Sequence, residues 1–290
     1  MVVTIPQQGK AAAPNRRRAV LIVPAYNEAL EIAASLTALD RYLCAELPAY
    51  DWELLVVDDG STDGTVAAVR SLAPALTVPI RVVEHVENSG LGQALRTGFA
   101  HATGDVVVTM DADLSYDVGH IGRLVQAWES TGAAIVLASP YMPGGRTVAV
   151  PRQLRTRSRW ANRYLTVSSG RRLRTFTGMV RAYDGRFLRN LVIGSDGVVI
   201  NVELIRKACI LGLPVVEIPA VLNWSGLATR QGRTRVVSRR AWRETRRTLQ
   251  MKRGHWREIV CGGPQPQNAV AGRVEHDDAP ISGNRDIRQP

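Results

Sequence analysis

Short apolar runs recur through the first half of the chain, and each ends in a polar or glycine-bearing cluster. The run 19–23 precedes Pro24-Ala25-Tyr26-Asn27-Glu28, and the run 52–57 precedes Asp58-Asp59-Gly60-Ser61-Thr62-Asp63-Gly64-Thr65. The run 80–84 leads to Asn88-Ser89-Gly90-Leu91-Gly92, and 105–109 leads to Met110-Asp111-Ala112-Asp113; a fifth run covers 135–138. Continuous apolar runs of this length predict strands buried on both faces of a parallel sheet. The stretches 29–47, 62–73 and 91–101 between them predict helices. Gly60 and Gly64 permit a tight turn before the second, which Ser61 or Thr62 can cap. Strand and helix in alternation predict an α/β fold: a doubly wound, mostly parallel sheet with helices on both faces.

The second half carries weaker periodicity. Residues 150–169 predict a basic helix with Arg152, Arg155, Arg157, Arg159 and Arg163. The stretch 175–183 predicts a strand pair or a strand and turn, 198–211 a helix, and 215–221 a strand with Pro219 at its edge. Residues 236–252 predict a strongly basic amphipathic helix with Val236, Trp242, Thr245 and Leu249 on roughly one face. The expected organisation is a flexible lead over 1–17, one α/β domain over 18–235, the basic helix over 236–256 and a disordered polar tail over 257–290.

Charge changes the picture of partners. Lys and Arg number 37 against 26 Asp and Glu, a net +11. Such a balance calls for a polyanionic partner: nucleic acid, an anionic membrane or a phosphorylated substrate. Few aromatics interleave with the arginines, so the stacking platforms of a single-strand nucleic-acid binder are missing, and nucleic acid is not expected. Cys44, Cys209 and Cys261 lie far apart, without metal-type spacing, and read as reduced thiols of a cytoplasmic protein. The opening residues have no secretory pattern. The longest apolar candidate, 198–222, is broken by Asn201, Glu203, Arg206, Lys207 and Glu217, so no membrane-spanning helix is expected.

The chemistry gathers at Asp111 and Asp113. Just past the carboxyl end of a buried strand, where open α/β sheets bind ligands, residues i and i+2 of an extended segment point the same way. Two carboxylates facing one point repel unless a cation or a proton lies between them. A hard divalent ion, Mg²⁺ or Mn²⁺, is the natural mediator; the plainer reading is a solvated Asp-rich turn. Asp58, Asp59 and Asp63 read either as ligands of a nucleotide or as turn and helix-cap residues.

The four clusters, in this order at successive strand ends, resemble the family 2 glycosyltransferases, whose fold is called GT-A. The resemblance covers roughly residues 18–236. Ala138-Ser139-Pro140-Tyr141, Thr177-Gly178-Met179-Val180-Arg181-Ala182-Tyr183, Glu203 and Arg230-Gln231-Gly232-Arg233-Thr234-Arg235 are similar to the subgroup that makes dolichyl- and polyprenyl-phosphate sugars. This resemblance implies an inverting hexosyltransferase that moves a sugar from a nucleotide-sugar donor to polyprenyl phosphate, with mannose from GDP-mannose favoured. Pro24, Tyr26, Glu28 and Gly92 would bind the donor, Asp58 or Asp59 its base or ribose, and Asp111 and Asp113 a metal against the diphosphate. Arg157 or Arg159, Arg181, Arg230 and Arg235 would hold the acceptor phosphate. Asp113, Arg181, Glu203 and Arg230 carry the catalytic expectation. A hydroxyl acceptor needs a base, and Glu203 or Asp196 would be candidates for a soluble-acceptor alternative, whereas a phosphate monoester is already anionic. His85, His101 and His120 read as surface residues.

Three departures from the subgroup stand out: Ser115 where relatives often have Gln, Pro140 where many have Arg, and Thr234-Arg235 for Ser-Lys. The expected location is cytoplasmic, peripherally held on the inner face of a membrane by the basic 236–252 face. A membrane-anchored protein partner fits the same scheme.

Overall fold

The computed structural model describes residues 2–4, 16–169, 172–195, 197 and 199–225. Its first half runs β1 (Val2–Thr4), β2 (Arg17–Ala25), α1 (Ile32–Glu46), β3 (Tyr50–Asp58), α2 (Thr65–Leu72), β4 (Ile80–Glu84), α3 (Leu91–His101), β5 (Val106–Thr109), α4 (Gly119–Thr131) and β6 (Ile135–Ser139). The second half follows with β7 (Arg146–Val148), α5 (Arg152–Ser169), β8 (Arg181–Asp184), α6 (Gly185–Arg189), α7 (Ile200–Ile210), β9 (Val215–Pro219) and β10 (Val221–Asn223).

Eight strands form one sheet in the order β1-β4-β3-β2-β5-β8-β6-β9. The apolar run of β2 is buried because it is paired on both sides, parallel to β3 and to β5. Its side chains alternate between two cores. Leu21, Val23 and Ala25 pack with α1, α2 and α4, while Val20 and Ile22 pack with α3, α6 and α7. Leu21, Ile22 and Val23 are each 0% exposed, and each stabilises the fold by about 1.5–3 kcal/mol through burial. Helix α3 lies so close to β2 that a Cβ on Gly98 would come 2.7 Å from Ile22 Cγ2.

The chain moves outward from β2 through β3 to β4, then crosses on the opposite face through α3 to β5, on the other side of β2. That reversal makes the carboxyl ends of β2 and β5 a topological switch point, the crevice where such sheets take ligands.

Several elements differ from the sequence expectation. Three residues of the lead, Val2–Thr4, pair antiparallel with β4 at the sheet edge. Of the two forms expected over 175–183, a strand pair or a strand and turn, the structure has the second: an irregular segment followed by the single strand β8, which inserts antiparallel between β5 and β6. The expected strand 215–221 breaks at Ala220, whose N–H bonds Ser139 O while its carbonyl accepts from Arg146 N, so the chain passes from the large sheet into the β7–β10 ribbon. His120 is 1% exposed rather than on the surface. Among the described residues, no helix is long and apolar enough to cross a membrane.

Candidate active site

The site grows from the ends of β2, β3 and β5. Beyond β5 the backbone stays paired for one residue, with Met110 N donating to Ile22 O at 3.0 Å, and then turns. Leu114 takes the left-handed conformation, φ 48°, a placement that costs of order 1 kcal/mol or more for a residue with a Cβ. The turn closes by Leu114 N to Asp111 O at 3.2 Å and by Ser115 N to the Asp113 carboxylate at 2.9 Å. It leaves Asp111, Asp113 and Ser115 all lining one cleft of about 1590 Å³.

The β2 and β3 loops brace each other. Asn27, at φ 52°, accepts from Thr62 N at 2.8 Å, and its own N–H donates to Ser61 Oγ at 2.9 Å. Glu28 N donates to Thr65 Oγ1 at 2.8 Å, and Asp63 accepts from Thr65 N and Ala29 N. Asp63 therefore closes the turn, and the brace holds Pro24, Tyr26 and Glu28 along the cleft.

The two aspartates at the end of β3 behave differently. Asp59 accepts from Ser89 N at 3.0 Å, Gly90 N at 2.7 Å and His85 Nδ1 at 2.8 Å, so it fixes the loop before α3 while also bordering the cleft. His85 bridges on to Thr97 at 2.9 Å and is half-buried by these two bonds. Asp58 is 3% exposed; one carboxylate oxygen accepts from Ser61 N at 2.9 Å and the other, Oδ1, is buried with no hydrogen-bond partner. Gly92 lies buried in the first turn of α3, while its neighbours Leu91 and Ala94 reach the cleft.

The cleft is also lined by α5 and the segment after it. Arg152, Arg157, Trp160 and Tyr164 of α5 line the cleft, with Tyr141 from the β6–β7 connection. Arg159 does not line it; its guanidinium sits 5.7 Å above the Tyr141 ring. The floor is the segment carrying Thr175, Thr177, Gly178 and Met179.

Arg181 and Glu203 lie elsewhere. Arg181 is 0% exposed and donates to three backbone carbonyls, Gly178 O at 2.7 Å, Phe176 O at 2.6 Å and Asn201 O at 3.1 Å. Burial presses its pKa down, an effect that the nearby phenols and Glu217 partly oppose. Its guanidinium supports the floor from beneath and does not line the cleft, a correction to the phosphate contact expected from the sequence. Glu203 lies in the first turn of α7, 2.6 Å from Lys207 Nζ, and accepts from Gly194 N and Ser195 N. Burial alone would raise its pKa, but Lys207 and the hydrogen bonds outweigh it and hold the carboxyl below its usual range. It too faces away from the cleft. Arg230, Arg235, the stretch 236–256 expected to be a helix and residues 257–290 fall outside the described residues, as does Asp196.

Tyr116, Trp160 and Tyr164 join the cleft without having been named in the sequence, and Tyr141 and Arg152, named there without a role in the site, line it too. Trp160 and Tyr164, four apart on a predicted helix, were the legible signal. Tyr116 is buried on the cleft wall, and burial, then the Asp111 charge, drives its pKa far upward, so a neutral phenol stands beside the carboxylates.

The donor set suits a hard cation. Asp111, Asp113 and Ser115 offer only oxygen, and Mg²⁺-type ions are commonly held by one or two carboxylates completed by substrate phosphates.

Known proteins resemble this chain in sequence and in fold. Polyprenol monophosphomannose synthase of Mycolicibacterium smegmatis is 32% identical over 209 residues, 70% of this chain and 76% of its relative. Among solved structures, glucosyl-3-phosphoglycerate synthase from Mycobacterium tuberculosis in complex with uridine diphosphate superposes with a TM-score of 0.57 at 23% identity, covering 80% of this chain and 79% of the other. The mannosyltransferase PcManGT from Pyrobaculum calidifontis in complex with GDP-Man and Mn²⁺ gives a TM-score of 0.52 at 24% identity, covering 90% and 70%. The sequence profile of glycosyl transferase family 2 matches residues 20–191, and with the switch-point cleft and its paired carboxylates in place, the chain belongs to that family.

Proposed function

We propose that this chain is an inverting transferase that moves mannose from GDP-mannose to a polyprenyl phosphate. The single observation that carries this reading is that paired carboxylates and an arginine-bearing helix line one cleft: Asp111 and Asp113 with Arg152 and Arg157. A volume of about 1590 Å³ exceeds the ~300–1,000 Å³ of common small-molecule pockets, which suits a nucleotide-sugar and a phosphate-bearing acceptor together. The mycobacterial relative's name, a polyprenol monophosphomannose synthase, supplies the sugar and the lipid class.

In this scheme Asp111 and Asp113 hold Mg²⁺ or Mn²⁺. When bound, the ion neutralises charge on the departing nucleoside diphosphate. Pro24, Tyr26 and Glu28 wall the donor, and Asp59, the one of the two β3 aspartates that borders the cleft, can accept from an N–H or O–H of base or ribose. The acceptor phosphate attacks the anomeric carbon from the face opposite the diphosphate, which inverts the linkage. A phosphate monoester needs no base to deprotonate it; it needs cations to orient it, and Arg152 and Arg157 can donate charge-assisted hydrogen bonds. The soluble-hydroxyl alternative depended on a base such as Glu203, and that carboxylate is engaged with Lys207.

The test offers radiolabelled GDP-mannose, UDP-glucose and UDP-N-acetylglucosamine to the full chain with Mg²⁺ or Mn²⁺ and a short-chain polyprenyl phosphate in detergent. Mannose label in the organic phase, lost in Asp113→Ala, is the expected result. Label from another donor would replace the sugar, and label that stays wholly aqueous while donor binds would end the lipid-acceptor reading.

A further inference from the structure

We propose that Glu217, which does not line the cleft, is a positioning residue for the acceptor: it sets the floor against which the lipid phosphate is seated, an inference that rests on the lipid-phosphate reading of the cleft. The floor, residues 173–179, is neither helix nor strand. Backbone groups in such a segment need partners from elsewhere, and here side chains of other elements supply them. The half-buried carboxylate of Glu217 on β9 accepts from Arg174 N, at 3.0 Å to Oε1 and 2.9 Å to Oε2, and from Thr175 N at 2.8 Å to Oε1. Arg181 of β8 donates to Phe176 O and Gly178 O. An anion therefore holds the N–H groups at one end of the floor, and a cation holds the carbonyls at the other. The Thr175 hydroxyl is fixed as well, 2.7 Å from Ser139 Oγ on β6. Thr175 lines the cleft with Thr177, Gly178 and Met179, and its place there is set by Glu217 and Ser139, neither of which lines it.

One side chain joins this floor to the arginine-bearing helix. Asn162 of α5 is 2% exposed; its Oδ1 accepts from Phe176 N at 2.7 Å, and its Nδ2 donates to Ser158 O at 2.9 Å, one turn back in α5. Ser158 and its neighbour Arg157 line the cleft. Thr166 Oγ1 adds a second tie, to Leu173 O. A shift of the floor is therefore passed to α5 and its cations. The donor loops are braced separately, by Asn27, Ser61 and Thr62 after β2 and β3. Glu217 accordingly acts on the acceptor and not on the donor. A carboxylate suits the position because both of its oxygens face N–H donors. An amide there keeps one oxygen, which can still serve both N–H groups, but turns its NH2 toward a donor.

The experiment compares wild type, Glu217→Gln and Glu217→Ala as full chains. It measures KM separately for GDP-mannose and for a short-chain polyprenyl phosphate in detergent, together with hydrogen exchange over 172–180. Loss of the charged acceptor in Glu217→Ala should raise the acceptor KM by about tenfold or more, leave the donor KM within about twofold, and speed exchange at Arg174 and Thr175. Glu217→Gln should recover most of the acceptor KM. Should Glu217→Ala fail to fold, Glu217→Gln carries the test, with a smaller but still selective rise in acceptor KM and faster exchange at the same two amides. A purely structural role would lower the unfolding midpoint without this selectivity. Donor and acceptor KM rising together, a fall in kcat alone, or faster exchange at 174–175 with the acceptor KM unchanged would overturn the proposal. A wild type that binds donor but transfers nothing to the lipid phosphate would end the underlying reading and this inference with it. A wild type active on the lipid beside an unaffected Glu217→Ala would end this inference alone.

Discussion

The backbone N–H of Val221 donates to Nε2 of His120 at 3.1 Å, and on the other side of the ring Nδ1 donates to Asp117 O at 2.8 Å. Both nitrogens are spent, and the bond to Val221 requires the neutral ring. It ties α4 to the start of β10, the strand that brings Leu222 to the cleft and leads to Trp224, which also lines it. Burial lowers the His120 pKa below its usual 6.5, with the Asp117 carbonyl opposing and Arg123 assisting. The unfolded chain therefore takes up this proton first as pH falls. Stability is full above about pH 6.5 and declines below it until the folded pKa is passed, at no more than ~1.4 kcal/mol per pH unit for one proton. Urea unfolding from pH 7.5 to 5 should show this decline, and His120→Gln, which keeps an acceptor for Val221, should flatten it. Parallel profiles for the two proteins would assign the pH dependence elsewhere.

Gly60 allows the end of β3 to pass against the loop before α3. Its φ is +70°, and a Cβ there would lie 2.4 Å from the Glu87 carbonyl carbon and 2.6 Å from Asn88 N. Neither is a side chain that can swing away. Gly60→Ala should cost about 1–2 kcal/mol for the left-handed backbone alone, plus the displacement of residues 87–90. Because Asp59 grips Ser89 and Gly90 in that loop, the donor wall moves with it. Thermal unfolding should shift down, and donor KM should rise more than kcat falls. An unchanged donor KM would separate this loop from the nucleotide.

Lys207 is 0% exposed and meets Glu203 at 2.6 Å; it also donates to Val192 O. Removing one partner of such a pair leaves a buried charge, a loss of ~3–5 kcal/mol. Lys207→Met should therefore destabilise strongly in chemical denaturation, and Glu203→Gln/Lys207→Met should recover part of the loss. Glu203→Gln alone, assayed where it is folded, should keep kcat within a few-fold. A loss of several hundredfold in kcat with the fold intact would restore Glu203 to the chemistry.

The parts of this fold that were legible are those where local pattern and final environment coincide. Val106, Val107 and Val108 read as a doubly buried strand because β5 has neighbours on both edges and helices on both faces. The place of Asp111 and Asp113 on the cleft followed from strand polarity and their i, i+2 spacing. What was hidden depends on partners distant in sequence. Arg181 looks like any cation ready for a phosphate; only the carbonyls of Phe176, Gly178 and Asn201, gathered by β8 and α7, make it an interior residue. His120 stands between Val118 and Ile121, but the partner that holds its ring neutral, Val221, lies 101 residues later. The break at Ala220 is likewise set by two different strands claiming its N–H and its carbonyl.

Arg157 and Arg181 make the last contrast. Arg157 is exposed and borders the cleft, so Arg157→Gln should leave stability within about 0.5 kcal/mol. Loss of a charge-assisted hydrogen bond of ~1.5–3 kcal/mol should raise KM for the lipid phosphate by roughly 10- to 150-fold, with donor KM unchanged. Arg181→Lys keeps the charge but loses the planar fork that serves three carbonyls at once. Each buried acceptor left without a donor costs ~1–3 kcal/mol, so the expected outcome is a lower unfolding midpoint, with acceptor KM altered only as far as the floor at Thr177 and Gly178 shifts. Denaturation midpoints and separate donor and acceptor KM values, measured on both variants, decide between the two roles. A fully stable Arg181→Lys with a selectively raised acceptor KM would return that guanidinium to the phosphate and require the floor segment to open during catalysis.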